Sequence, residues 1–242
     1  VIQTFPDAHA AAVACAESFA TLAEAAVRER GRFTVALAGG TGPREAYSLL
    51  AAPPYASRIP WSGVHLFWGD DRCVPPGHPR SNFAMANAAF VSRVPIPPAN
   101  VHRMRGELPA REGADAYARE LADFFGPGIP RFDLVHLGVG PDGHTLSLFP
   151  FDAPVLRERE RTVVHSLYRP LGEWRNTITV PVANAAARVE LLATGADKAA
   201  IVRAVVEGPL DPFRLPAQLI RPARGELVWM LDAPAASLLA RA

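Results

Sequence analysis

The chain has 242 residues, 49% of them hydrophobic and 20% charged, with a formal net charge of +1. A chain of this length and apolar share can bury its own core without disulfide staples, and near-neutral charge gives no compositional basis for binding nucleic acid or a membrane surface. Its two cysteines, Cys15 and Cys73, cannot build a disulfide framework and point to a reducing compartment, so a cytoplasmic location is expected.

The opening residues, VIQTFPDAHA, lack a basic start followed by an apolar core, and no secretory signal is expected there. Asp7 is placed to cap a helix that runs to about Arg30, with Gly31 as its stop. This alanine-rich stretch is interrupted by Glu17 and Glu24 and reads as a helix of a folded domain, not as a membrane span. FTVALAGG (33–40) is a nearly continuous apolar run, the pattern of a strand covered on both faces. Pro43 suits the first turn of a helix through about Ala51. VHLFWGDD (64–71) is a second such strand, and SNFAMANAAFVSR (81–93) and AREGADAYARELADFF (110–125) have amphipathic helical spacing. FDLVHLGVG (132–140), RTVVHSLY (161–168), RVELLATG (188–195) and ELVWMLD (226–232) are further strand candidates. ADKAAIVRAVVEG (196–208) reads as a helix stopped by Gly208-Pro209, and a short helix follows Asp232. Prolines fall between the apolar runs as loop punctuation, and there is no internal repeat or low-complexity linker.

Alternating strand and helix predict an α/β fold, a mostly parallel twisted sheet with helices on both faces, Rossmann-like in architecture. Ligands of such sheets sit beyond the carboxyl ends of the strands. The loops to search are therefore 39–43, 69–73, 138–145 and 195–198.

In the first of these, Gly39, Gly40 and Thr41 follow a strand and lead into a helix. Small residues let a phosphate reach the backbone N–H groups at the positive end of the helix dipole, although a tight turn would use the same residues. It is not a Walker loop, because Pro43 stands where a Lys would follow. In the second loop Asp70, Asp71 and Arg72 are either a surface ion pair of little worth or a site in which an Asp orients a catalytic group and Arg72 meets an anion or oxyanion. Cys73 has no accompanying Cys–His signature and reads as inert.

Gly138, Gly140 and Gly143 spell G-x-G-x-x-G, the dinucleotide fingerprint. That reading needs a long helix after Gly143 and an acid about 20 residues on. Pro150 leaves room for a turn or two, and the following strand candidate ends in Tyr168 and Arg169, so no nicotinamide cofactor is expected. His144, two residues after Asp142, is then either a structural histidine or an acid/base poised near neutrality. The seven histidines show no convincing ligand spacing and two cysteines cannot complete a zinc cage, so no metal is expected. Lys198 falls in the first turn of its helix, where a cation opposes the dipole; an anion shared with the helix terminus and with Arg175 accounts for that, and a solvated Lys is the plain alternative. No G-x-S-x-G nucleophile elbow is present.

Four segments, FWGDDRCVPPGHPRSNFAMA (67–86), LGVGPDGHTLSLFP (137–150), RNTITVPVANAAARVELLATGADKA (175–199) and LPAQLIRP (215–222), are together similar to those of the 6-phosphogluconolactonases. The chain resembles that family in order and over nearly its whole length, with the Asp-Asp-Arg-Cys-Val and Asp-Gly-His-Thr segments the most specific. The resemblance implies one α/β domain over 1–242, of the type shared by glucosamine-6-phosphate deaminase and ribose-5-phosphate isomerase. It implies hydrolysis of 6-phospho-D-glucono-1,5-lactone to 6-phosphogluconate in the oxidative pentose phosphate pathway, without a redox cofactor or required metal. A small sugar-phosphate lactone is the implied partner, with no nucleic acid or membrane, for a monomer or weak homo-oligomer. Carried onto this sequence, the resemblance makes His144 the general acid/base and Asp71 and Arg72 the acidic and basic site residues after the second strand, and Asp142, beside the histidine, joins them in the expected catalytic set. Gly39, Gly40, Thr41, Arg175 and Lys198 become the phosphate grip. Which of Asp70, Asp71 and Asp142 supports His144 is left open. GGTGP departs from the Ser-Thr-Pro ending more usual in the family, which leaves the backbone donors but puts one hydroxyl contact in doubt. Related deaminases carry a glutamate five residues after the histidine, where this chain has Phe149, and sugar-phosphate sensors carry a DNA-binding helix-turn-helix that no stretch here resembles.

Overall fold

The structure, a computed structural model, describes residues 1–240. Its strands are β1 (Ile2–Phe5), β2 (Phe33–Leu37), β3 (Val64–Trp68), β4 (Asp70–Arg72), β5 (Val101–His102), β6 (Leu134–Leu137), β7 (Val163–Tyr168), β8 (Glu173–Ile178), β9 (Arg188–Ala193) and β10 (Glu226–Asp232). Its α-helices are α1 (Ala8–Arg30), α2 (Thr41–Leu50), α3 (Tyr55–Arg58), α4 (Asn82–Ala89), α5 (Ala110–Phe125), α6 (Ala153–Leu156), α7 (Val180–Ala185), α8 (Ala199–Val206) and α9 (Ala233–Ala236).

Seven strands form one sheet in the order β1-β10-β9-β6-β2-β3-β5, with every pairing parallel. Interior parallel strands are covered on both faces, which is why β2 is buried at every residue and the interior strand sequences are nearly continuously apolar. The chain runs outward from β2 through β3 to β5. It then returns to place β6 on the other flank of β2 and runs outward again through β9 and β10. The order therefore reverses between β2 and β6, and the loops leaving these two strands diverge, opening a crevice at the carboxyl end of the sheet. The seam between them is short, with only Val35–Leu134 and Ala36–Val135 in register.

Helix α1 starts and stops on the residues expected of it. The Asp7 side chain accepts from the Ala10 N–H at 2.8 Å, and Gly31 takes φ 73° while its N–H reaches the Val27 carbonyl. By length and composition α1 is apolar enough to cross a bilayer, but its Ala12, Ala16, Phe19 and Ala23 face packs into the core. Asp232 likewise caps α9 through the Ala235 N–H.

Other boundaries differ from the sequence expectation, each for a local reason. The run 64–71 is not one strand. It breaks at Gly69, whose N–H still bonds the Leu37 carbonyl, and β4 then enters a second sheet of order β4-β8-β7, all antiparallel. The helix expected over 81–93 ends at Ala89, where Phe90 turns to φ −150° and a 3₁₀ turn follows. The helix expected over 196–208 opens with a 3₁₀ turn, Ala196–Lys198, so Lys198 lies at its boundary with α8. One contiguous cluster of buried apolar side chains joins the two sheets, from Phe33 and Phe67 on the large sheet to Val163 and Ile178 on the small one.

Candidate active site

Four loops leave the carboxyl ends of β9, β6, β2 and β3, which are neighbours in that order, and they meet around one open cleft of about 800 Å³ including its mouth. Gly39, Gly40 and Thr41 line it from the loop after β2, Asp70 and Arg72 from β4, which follows β3 directly, His144 from the loop after β6, and Lys198 from the loop after β9. Asp71, Asp142 and Arg175 do not line it.

The histidine end is built by a tight glycine loop. Gly140 N–H donates to the His144 carbonyl at 2.8 Å, and Gly143 N–H, at φ 83°, returns to Gly140. The loop folds so closely that a Cβ on Gly140 would lie 2.1 Å from His144 Nδ1, so no larger residue fits there without moving the ring. Asp142 Oδ1 pairs with His144 Nδ1 at 2.5 Å and also accepts the His144 N–H. This hydrogen bond fixes the ring and leaves Nε2 without a partner among the described residues. Partial burial pushes the Asp142 carboxyl up, but the hydrogen bond and charge of His144 outweigh it and hold it below its ordinary value. Leu146, two residues on, is held at φ 54° against the cleft wall, a conformation unusual for a branched side chain.

The anion end is the loop 39–41, with Lys198 across from it. Gly40 has φ 110°, a backbone that favours glycine, and from there α2 begins at Thr41 with its first N–H groups open. Lys198 Nζ donates to the Val139 carbonyl at 3.1 Å, which holds the ammonium beside both the β6 loop and the cleft.

Arg72 is aimed into the cleft by Asn82, whose side-chain oxygen accepts from Nη1. The Asn82 amide also donates to the Asp70 carbonyl at 2.8 Å, and the Asp70 carboxylate accepts from Ser147 Oγ at 2.6 Å. Asp71 has a different task. Its carboxylate, 3% exposed, accepts from Ser81 Oγ and from the N–H groups of Arg72, Asn82 and Phe83, so it anchors the start of α4. Burial pushes its carboxyl up, against these donors. Burial and the charges of Asp71 and Glu173 push the neighbouring Cys73 thiol up to about 11, the wrong direction for a nucleophile.

Arg175 lies opposite Arg72 in the β4–β8 ladder. Its guanidinium is bonded to Glu173 Oε1 at 2.9 and 3.0 Å and stacked 5.1 Å from the Tyr168 ring centre and 5.5 Å from that of Phe149. Phe149 in turn lies 5.1 Å from the His144 ring, so Arg175 stands behind the aromatic wall of the histidine end and not at the glycine loop. Glu173 also pairs with Arg80 and Arg72. The sequence reasoning missed Asn82, Ser147 and Glu173. Asn82 stands between Ser81 and Phe83, Ser147 between Leu146 and Leu148 and Glu173 between Gly172 and Trp174, so no charged neighbour marks them in the chain.

Among the described residues one group of possible metal ligands lies close together, Cys15, His136 and Glu190, all buried and none lining the cleft. Ser18 and Arg188 engage Glu190 Oε1 at 2.5 and 2.6 Å, while Oε2 faces His136 Nε2 at 3.4 Å without a hydrogen bond, so the group is part of a buried polar network.

Comparison with known proteins gives a consistent picture. The family described as glucosamine-6-phosphate isomerases/6-phosphogluconolactonase matches residues 6–229. A 6-phosphogluconolactonase of Homo sapiens is 42% identical over 217 residues, covering 87% of this chain and 82% of that protein. One of Synechocystis sp. is 40% identical over 211 residues, covering 86% and 85%. The solved structure of a 6-phosphogluconolactonase from Trypanosoma cruzi superposes with a TM-score of 0.88 at 26% identity, covering 99% of this chain and 96% of that one.

Proposed function

The chain belongs to the glucosamine-6-phosphate isomerase/6-phosphogluconolactonase family, as an enzyme of the 6-phosphogluconolactonase type, and from that membership we propose that it opens 6-phospho-D-glucono-1,5-lactone with His144 as general base and then general acid. One observation carries the reading. His144, its Nδ1 held by Asp142, faces the same cleft as the glycine loop and Lys198 across the β2/β6 switch point.

In this mechanism the 6-phosphate sits on the N–H groups of Gly39–Thr41 with Lys198 as counter-charge, and Arg175 adds positive potential from behind the aromatic wall. The lactone carbonyl then lies at the histidine end. His144 Nε2 takes a proton from water as the water oxygen bonds to C1. Arg72, fixed by Asn82, faces the negative charge that develops on the carbonyl oxygen. The C1–ring oxygen bond breaks, the proton on Nε2 passes to the departing oxygen, and the product is the open 6-phosphogluconate. Asp142 keeps its charge throughout and stabilises the transient imidazolium. A lactone is an activated ester, so base assistance of roughly 10²–10⁴-fold together with positioning is enough. A cytoplasmic location belongs to the same reading, and two unpaired cysteines suit a reducing compartment.

The test is direct. Lactone is generated in situ and acid release is followed against the spontaneous rate. Release well above that rate, lost in His144→Ala with the fold intact, is expected; release at the spontaneous rate, or full turnover by the variant, removes the proposal.

A further inference from the structure

Beneath the cleft, a row of buried polar side chains runs across the large sheet without touching the space where substrate would sit. Glu190 on β9 is 1% exposed, His136 on β6 is 3% exposed and Tyr47 on α2 is fully buried. Glu190 Oε2 lies 3.4 Å from His136 Nε2, and His136 Nδ1 lies 3.2 Å from the Tyr47 hydroxyl. The hydroxyl accepts the Ala38 N–H at 2.9 Å. Cys15 Sγ, 3.6 Å from His136 Nε2, and Ser18 and Arg188, both on Glu190, complete the surroundings.

Ala38 is the first residue beyond β2 and the root of the glycine loop, and it lines the cleft while only 5% exposed. Its N–H is bonded to the Tyr47 side chain from the helix that follows the loop. Without that hydroxyl the N–H would be buried and unsatisfied, and the loop would gain by moving until the N–H met water. The other partner of the hydroxyl, His136, belongs to the strand that leads into the His144 loop. The row therefore bridges the same β2/β6 boundary that the two-pair seam joins.

We propose that Glu190, His136 and Tyr47 form a buried positioning relay that pins the root of the glycine loop to β6 and so sets the spacing between the phosphate end and the imidazole end of the cleft. The proposal rests on the lactonase reading for what the spacing serves. Tyr47 and His136 are positioning residues, since neither lines the cleft. His136 acts on the loop through Tyr47, and Glu190 through His136.

The test compares Tyr47→Phe, His136→Leu and the double variant with the parent, using in-situ lactone and amide hydrogen exchange. For Tyr47→Phe, KM for the phosphorylated lactone should rise roughly tenfold, the size of one buried hydrogen bond, with kcat within about twofold. Exchange over residues 38–41 should quicken. The KM effect of His136→Leu should be present alone and vanish in the Tyr47→Phe background. Leu50→Ala, a core change on the same helix that leaves the relay intact, should lower Tm without moving KM. A KM within twofold of the parent in Tyr47→Phe, additive effects in the double variant, or an equal KM rise in Leu50→Ala would overturn the relay. If the parent itself fails to hydrolyse lactone, the functional reading falls separately, and the relay is then decided by exchange alone: unchanged protection at 38–41 in Tyr47→Phe refutes it.

Discussion

His144 and Asp142 are joined by a 2.5 Å contact between Nδ1 and Oδ1, made within a single five-residue loop. Pairs of this kind are often assembled from distant parts of a chain; here the orienting carboxylate arrives with the imidazole. Asp142→Asn keeps the size of the group but can present its N–H₂ to the ring and favour the wrong tautomer. It should lower kcat by about 10–10²-fold, less than the roughly 10²–10⁴-fold loss in His144→Ala, with KM nearly unchanged. Steady-state lactone hydrolysis, corrected for the spontaneous rate, measures both; equal activity of Asp142→Asn and the parent would remove the orienting role.

Gly140→Ala offers a steric test of the same geometry. The added methyl would lie 2.1 Å from His144 Nδ1, so the ring must leave its place. The expected outcome is a kcat loss of about tenfold or more with an unchanged far-UV circular dichroism spectrum. Retention of full kcat would mean that the ring position is not what sets the rate.

Lys198 and Arg175 should separate, although the sequence suggests one role for both. Lys198 lines the cleft, so Lys198→Ala should raise KM for phosphorylated lactone by roughly 10–10²-fold and leave unphosphorylated lactone unaffected. Arg175 is tied to Glu173 behind Phe149, so Arg175→Ala should raise KM less and cost stability instead. The lost charged hydrogen bonds are worth about 2 kcal/mol, roughly 5 °C in Tm for a chain of this size. Thermal melts and substrate titrations on both variants decide it. A larger KM rise in Arg175→Ala than in Lys198→Ala would place the phosphate at the other end of the cleft.

Glu190 should make stability depend on acid pH. Burial alone would raise its carboxyl, but the contact and charge of His136, with Ser18 and Arg188, hold it below the ordinary range. A carboxyl lowered in the folded state contributes stability that is fully present above its unfolded value, about 4.5, and is lost as pH falls through the folded value. Glu190→Gln should therefore be less stable than the parent near neutrality, by on the order of 3 kcal/mol. The gap in Tm should narrow as pH drops below about 4.5. A gap of constant size across that window would show that the carboxylate charge is not what stabilises the network.

Much of this architecture is legible in the chain. Asp7, Gly31 and Asp232 mark helix ends because capping is a local matter of one side chain and a few N–H groups. Continuous apolar runs mark the interior parallel strands because burial on both faces removes alternation. The loops at the strand ends then gather His144, the glycine turn, Arg72 and Lys198 with no further information. The small antiparallel sheet was not legible. Its β4 is three residues, Asp-Asp-Arg, and its β8 buries Arg175 and Asn176, so neither shows the hydrophobic pattern of a strand. The roles of Asp71 and Arg175 were hidden for the same reason. Each is defined by partners its own neighbourhood does not announce, the N–H groups of α4 in one case and Glu173 with two rings in the other. Nor does the sequence single out the row from Glu190 to Tyr47, since His136 and Glu190 look like noise inside apolar strand runs and Tyr47 lies on a helix, and only the fold brings the three together.

The two-pair seam between β2 and β6 has a consequence for what a bound molecule does to the protein. One end of such a molecule would rest on the loop carried by β2 with Lys198 from the β9 loop, and the other on the loop carried by β6, so it would act as a splint across a short interior join of the large sheet. Occupancy should stiffen the enzyme as a whole, and the gain in resistance to unfolding should be felt first where the strands on either flank of that join would otherwise part.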